Sequence, residues 1–142
     1  MFRIAETLPE EVLKKMHAPP KPSYPTFEVK NLVDYDAFLL GIPTRYGSMS
    51  AQWKTFWDAT GQLWGTGALH GKFAGIFVST GSQCGGQEAT PLSMITTLAH
   101  HGICYVPLGY KHTFASFMNS QEARGGGPLG AGTIAVRHHA FF

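Results

Sequence analysis

Six consecutive residues, Ala37-Phe38-Leu39-Leu40-Gly41-Ile42, carry no polar side chain and are bracketed by Asp34 and Asp36 before and Pro43-Thr44-Arg45-Tyr46-Gly47 after. An apolar run without alternation is what a strand covered on both faces of a parallel sheet requires. Pro43 is expected to end it, because proline cannot donate to a ladder. Thr44, Arg45 and Tyr46 then stand past the carboxyl end of the strand, where open α/β sheets hold their ligands. The arrangement recurs at residues 72–80, Lys-Phe-Ala-Gly-Ile-Phe-Val-Ser-Thr, followed by the loop Gly81-Ser82-Gln83-Cys84-Gly85-Gly86-Gln87-Glu88. Small residues there let bare backbone N–H groups approach a flat ligand. The spacing from Gly81 to Gly86 suits a phosphate loop superficially. Gln87-Glu88 stands where Lys-Ser/Thr would be needed, which excludes a nucleoside triphosphatase.

The rest of the chain reads as one domain built around these two units. Its 142 residues, 44% hydrophobic and 14% charged with formal net charge +2, suit a single soluble domain and argue against a nucleic-acid partner. No apolar window is long enough for an integral membrane segment, and no signal peptide follows Met1, so the expected compartment is the cytoplasm. Residues 8–16 are expected to form a helix, with Pro9, Glu10 and Glu11 in its first turn and lysines in its last. Four prolines between 17 and 26 make an extended connector. Ser48 or Ser50 is expected to cap a helix running to about Ala59, with Trp53, Phe56 and Trp57 on its apolar face. Trp64, among the glycines of residues 60–67, is expected in a loop. A further helix over 90–101 is closed by Gly102 as a left-handed cap, with His100 and His101 placed for positive charge at its end. Residues 103–107 read as the last strand, with Cys104 in the core, and 111–135 as loop, too rich in glycine for a core element. Cys84 and Cys104 fit no metal or disulfide spacing, and no metal site is expected.

Six separated motifs then carry a resemblance: Pro-Thr-Arg-Tyr-Gly at 43–47, Gly-Gln-Leu-Trp at 61–64, Ser-Thr-Gly at 79–81, Gly-Gly-Gln-Glu at 85–88, Leu-Ala-His-His-Gly at 98–102 and Pro-Leu-Gly-Tyr at 107–110. In this order and spacing, over roughly residues 5–135, the chain resembles the flavodoxin-like NAD(P)H:quinone oxidoreductases of the WrbA type. The resemblance implies an α/β, flavodoxin-like open parallel sheet with helices on both faces. It also implies FMN as cofactor, NADH or NADPH as co-substrate, two-electron reduction of a quinone, and a homo-oligomer, dimer or tetramer. The flavin would carry the hydride, so no side chain is expected to be catalytic. Thr44, Arg45 and Tyr46 would flank the flavin ring; Ser79, Thr80, Gly81, Ser82, Gly85 and Gly86 would form its second wall; His100 would close its edge. Trp64 would border the quinone and nicotinamide pocket of a neighbouring subunit. Cytoplasmic location, with peripheral attachment to the plasma membrane as the other option, accompanies this reading.

The resemblance also marks what this sequence does not match. The family opens with an apolar strand and a Ser/Thr-rich loop that starts a helix and holds the FMN phosphate. The first matched residues here lie beyond that segment, and residues 136–142 do not match the family's last helix. The expected domain is therefore partial over 1–135 with a divergent tail over 136–142, its first strand and last helix absent. Such a truncation would open the edge of the strand at 37–42 and bare one sheet face. The alternative function is a non-catalytic subunit or interaction fragment unable to hold FMN. A one-electron flavodoxin carrier fits less well, because such carriers are strongly acidic and this chain has a sequence pI near 8.6.

Overall fold

The computed structural model describes residues 1–135; the divergent tail at 136–142 lies outside the described residues. The first helix, α1 (Glu10–Lys15), starts at Pro9, carries its acidic residues first and its lysines last, and adds an exposed Lys14–Glu10 pair at 3.0 Å. Residues 2–6 leave one trace of a strand, a parallel bridge between Arg3 and Thr26. A 3-10 helix at Val29–Asp34 leads into the sheet.

The sheet is mixed but dominated by parallel pairs. β1 (Ala37–Arg45) turns into the short β2 (Ser48–Met49), then α2 (Ala51–Asp58) and α3 (Gly61–Gly65) return to the start of β3 (Phe73–Thr80). β1 and β3 run parallel in the register Ala37 opposite Phe73 to Pro43 opposite Ser79. α4 (Ala89–His100) carries the chain back to β4 (Cys104–Tyr105), and α5 (Phe114–Met118) precedes a hairpin of β5 (Gly125–Gly127) and β6 (Gly130–Ile134). The strand order is β2-β1-β3-β6-β5, with β4 pairing the first residues of β3 and β6 its last four. This is the flavodoxin-like α/β arrangement expected from the sequence.

The core lies on one face of this sheet. Leu40 and Ile42 of β1 with Ala74, Ile76 and Val78 of β3 meet Trp53, Phe56 and Trp57 of α2 and Met94 and Leu98 of α4. Among the described residues nothing covers the opposite face: Leu39 is 74% exposed, and Phe73 and Phe77 are exposed as well. The expectation that residues 37–42 are covered on both faces is thus corrected. An unbroken apolar run satisfies either environment, and here alternate residues are buried.

Four further expectations change. Pro43 does not end β1, which continues to Arg45. Phe73 N–H donates to Asp36 C=O across the β1–β3 pair, so even-numbered residues of β1 face β3. Odd-numbered ones, Pro43 included, face the open edge, where a missing N–H breaks no ladder bond. The Trp64 segment is the short helix α3 rather than a loop. Cys104 is exposed rather than core, since Ile103 takes the buried position beside it. The glycines of 125–132 build the β5–β6 hairpin because nothing larger fits. A Cβ on Gly130 would stand 2.2 Å from the Ile76 carbonyl oxygen, and one on Gly125 2.7 Å from the Gly132 carbonyl carbon.

β1 pairs with β3 on one side; its other edge faces a groove of about 890 Å³ whose far wall is Phe2, Arg3 and Ile4. Glu6 anchors that wall to α2, accepting from Gln52 Nε2 at 2.7 Å and from the N–H groups of Leu8 at 2.9 Å and Thr7 at 2.8 Å. These bonds, the Leu8 amide foremost, hold its carboxyl below the usual range. One open-edge acceptor is satisfied: Trp53 Nε1 donates to Gly41 C=O at 3.0 Å.

Candidate functional site

Two loops meet at the carboxyl end of the strands. The first is the β1–β2 turn: Arg45 pairs with Ser48, and the two residues between them, Tyr46 at φ 54° and Gly47 at φ 78°, make the positive-φ turn that suits a two-residue hairpin. Gly47 is at ease there. Tyr46 is not, since a bulky residue at positive φ costs on the order of 1–3 kcal/mol, and strain of this kind clusters at functional sites. The turn leaves the Tyr46 ring fully in solvent and Arg45 exposed beside it.

The second loop runs from the end of β3 into α4. Thr80 is buried; its hydroxyl donates to Ser82 C=O at 2.7 Å and accepts from Gln87 Nε2 at 2.8 Å. Gly85 N–H donates to the same Ser82 carbonyl at 3.3 Å, closing a tight loop in which a Cβ on Gly85 would stand 2.7 Å from Ser82 Oγ. Gly86, at φ 114°, joins the two loops. A Cβ there would lie 2.9 Å from Thr44 Oγ1, 3.1 Å from Gly47 Cα and 3.2 Å from Thr90 Oγ1. Thr44 and the fully buried Thr90, in the first turn of α4, share a hydrogen bond of 2.6 Å behind this contact. Ser79 lies opposite Pro43 in the ladder, and Gly81 and Ser82 are exposed above it.

The sequence-derived candidates therefore divide. Thr44, Arg45, Tyr46, Ser79, Thr80, Gly81, Ser82, Gly85 and Gly86 are brought together. Trp64 and His100 are not among them. α4 begins beside the loops, and His100, its last residue, lies about 17 Å further along the helix. Trp64, in α3 after the return of α2, is at that same far end and 58% exposed. Gly102, at φ 69°, closes α4 there as expected.

His101 is the clearest departure at that end. Rather than offering positive charge to the helix end, it is buried: Thr60 Oγ1 lies 2.9 Å from Nε2, and the Trp57 ring centroid is 5.4 Å away. Burial first, and the neighbouring His100 second, hold its pKa below 6.5. Among the described residues its Nδ1 is buried without a partner. Ser50 stands at the start of α2, but its side chain makes no capping bond.

Sequence reasoning missed Thr90, Gln87 and Thr133 as parts of this end of the molecule. Gln87 was visible in its motif, but its partners, Thr133 and Gly126, lie far along the chain. Among the described residues no group of three His, Cys, Asp or Glu side chains gathers as a metal site, and no helix is long and apolar enough to cross a membrane.

The two loops suit the ring of a flavin. Glycine at 85 and 86 lets the two loop backbones close on one another beside Thr44 and Thr90, and Arg45 and Tyr46 are exposed next to them. The fit is to the ring system. At the phosphate end, no helix among the described residues is opened by a side-chain cap.

Comparison with known proteins bears on the chain's family and fold. A family described as NADPH-dependent FMN reductase matches residues 1–113. The chain is 58% identical over 135 residues to protoplast secreted protein 2 of Saccharomyces cerevisiae, a match covering 95% of this chain and 68% of that one. It is 56% identical over 135 residues to a Candida albicans protein named NAD(P)H quinone oxidoreductase PST2, covering 95% and 66%. The crystal structure of a flavodoxin, WrbA-like protein from Agrobacterium tumefaciens superposes with a TM-score of 0.53 at 32% identity, over 57% of this chain and 52% of that one. The chain thus spans about two thirds of the length of these fungal relatives and about half of that solved chain.

Proposed function

The chain belongs to the NADPH-dependent FMN reductase family, and from that premise we propose that it acts as an FMN-dependent NAD(P)H:quinone oxidoreductase. The observation that carries this reading is the close approach of Gly86 to Thr44 and Gly47, which joins two strand-end loops into one surface. FMN, when bound, supplies two-electron hydride chemistry between the nicotinamide and a quinone.

The chain's own residues position and polarise. Thr44, Arg45 and Tyr46 flank the ring from the β1–β2 turn, Arg45 adding a planar guanidinium beside it. Ser79, Gly81, Ser82, Gly85 and Gly86 form the other wall. Thr80 acts from below, its hydroxyl committed to Ser82 and Gln87. His100 and Trp64 lie at the far end of the protomer and would serve the pocket of a second copy, which makes a dimer or tetramer the working assembly. Residues 1–135 would be the functional domain, with 136–142 as a tail. The compartment in this reading is the cytoplasm, with peripheral plasma-membrane attachment as a variant.

FMN titration of the purified 142-residue chain, read by flavin fluorescence quenching and size exclusion, tests this. Binding tighter than about 10 μM, near −7 kcal/mol, is expected, followed by NADH or NADPH consumption with benzoquinone. A folded chain that binds no FMN would overturn it. The open edge of β1 then favours the second reading, a non-catalytic subunit, which would lack flavin and co-purify with an intact relative.

A further inference from the structure

One side chain ties the second loop to the β5–β6 hairpin. Gln87 Nε2 donates to Thr80 Oγ1 at 2.8 Å and to Thr133 C=O at 3.0 Å, while its Oε1 accepts from Gly126 N–H at 2.7 Å. The orientation of the amide is forced, because a backbone N–H only donates and a backbone carbonyl only accepts. Thr80 passes the constraint on: its hydroxyl donates to Ser82 C=O, which also accepts Gly85 N–H. The amide therefore fixes both ends of the loop whose last glycine packs on Thr44. The hairpin is shaped to admit it. A Cβ on Gly132 would lie 1.9 Å from Gln87 Oε1. Beside this bridge a cleft of about 570 Å³ separates Ser82 and Gln83 from Arg124, Gly125 and Thr133, so the loop has little other support on that flank.

We propose that Gln87 is a positioning residue that holds the Gly81–Gly86 loop in its ring-binding shape by latching it to the β5–β6 hairpin. This deepens the flavin reading above and rests on it. The latch acts through Thr80, Ser82 and Gly85 and does not itself touch the ring, so its loss should weaken FMN and lumiflavin, which has no phosphate, by the same factor.

The test uses the full chain with two substitutions. Gln87→Met keeps the shape and loses all three bonds. Gln87→Glu keeps the acceptor for Gly126 and sets an oxygen against the Thr133 carbonyl. Hydrogen exchange at the Gly85 and Gly126 amides is read together with the affinities for FMN and lumiflavin, and Asn31→Ala, which removes a side-chain bond to Asp34 in the 3-10 helix, serves as a control away from both the loop and the hairpin. In Gln87→Met both amides should exchange at least about tenfold faster and both affinities should fall about tenfold or more. In Gln87→Glu Gly126 should stay the better protected of the two amides. Unchanged exchange at Gly85 overturns the latch. Faster exchange with unchanged flavin affinity, or losses equal to those in Asn31→Ala, overturns the positioning role. A wild-type chain that binds neither flavin overturns the functional reading alone, and exchange still decides the latch.

Discussion

The two faces of the sheet are built from the same strands and from equally apolar residues, yet they live in different environments. On the helical face Leu40, Ile42, Ile76 and Val78 are buried against α2 and α4. One residue along, Leu39, Phe73 and Phe77 stand in solvent. The bare face also frames a shallow depression of about 670 Å³ that continues over Val106 and Leu108, so the exposure is contiguous rather than scattered. Hydrophobicity therefore names the residues that can be buried, and coverage by another segment names those that are. The helical face should carry the stability, and the bare face the tendency to associate.

The largest effect that would break this contrast is expected at Met94, which is fully buried under the sheet. Met94→Ala should cost about 2–5 kcal/mol in urea unfolding; a loss below about 1 kcal/mol would mean that this face is not the packed one. Next is the polar contact within the same layer. Thr60→Val leaves His101 Nε2 buried without its hydroxyl partner, and a loss of about 1–3 kcal/mol is expected.

The same histidine makes stability pH-dependent. Its folded pKa is lowered from 6.5, so below that value the unfolded chain binds more protons than the native one. Stability then falls as the pH drops from 6.5 toward the folded value and is level in this respect above 6.5. Thermal midpoints followed from pH 8 to pH 5 should show this decline in the wild type and a flatter profile in His101→Gln; parallel profiles would assign the titration to another group.

The smallest change in stability should come from the bare face. Leu39→Lys is expected to stay within about ±0.5 kcal/mol while reducing self-association in sedimentation velocity. A large destabilisation there would show that Leu39 is covered in solution, and the contrast between the faces would fail.

Much of this arrangement is legible in the sequence. The two apolar runs, the loops after them, α4 with its Gly102 closure, and the nine loop residues that converge are all readable, because strand and helix periodicities and glycine's tolerance of positive φ are local properties. His101 was not legible. Its neighbour His100 has the same local context, and only the return of Thr60 and Trp57 to the end of α4 makes one buried and the other exposed. The hairpin at residues 125–134 misled for a related reason. Glycine reads as flexibility when its neighbours are unknown, whereas here it marks backbone packed against Ile76 and Gln87.

The sequence by itself determined where β1, β3, α2 and α4 fall and which two loops come together at the strand ends. Only the tertiary structure decided which face of the sheet the helices cover, that Pro43 breaks no ladder bond, that Trp64 and His100 lie away from the loops, and that Gln87 bridges to Thr133 and Gly126. The physical reason is range: propensity and periodicity act between residues a few positions apart, whereas burial and hydrogen-bond partnership depend on which distant segment arrives at the same place.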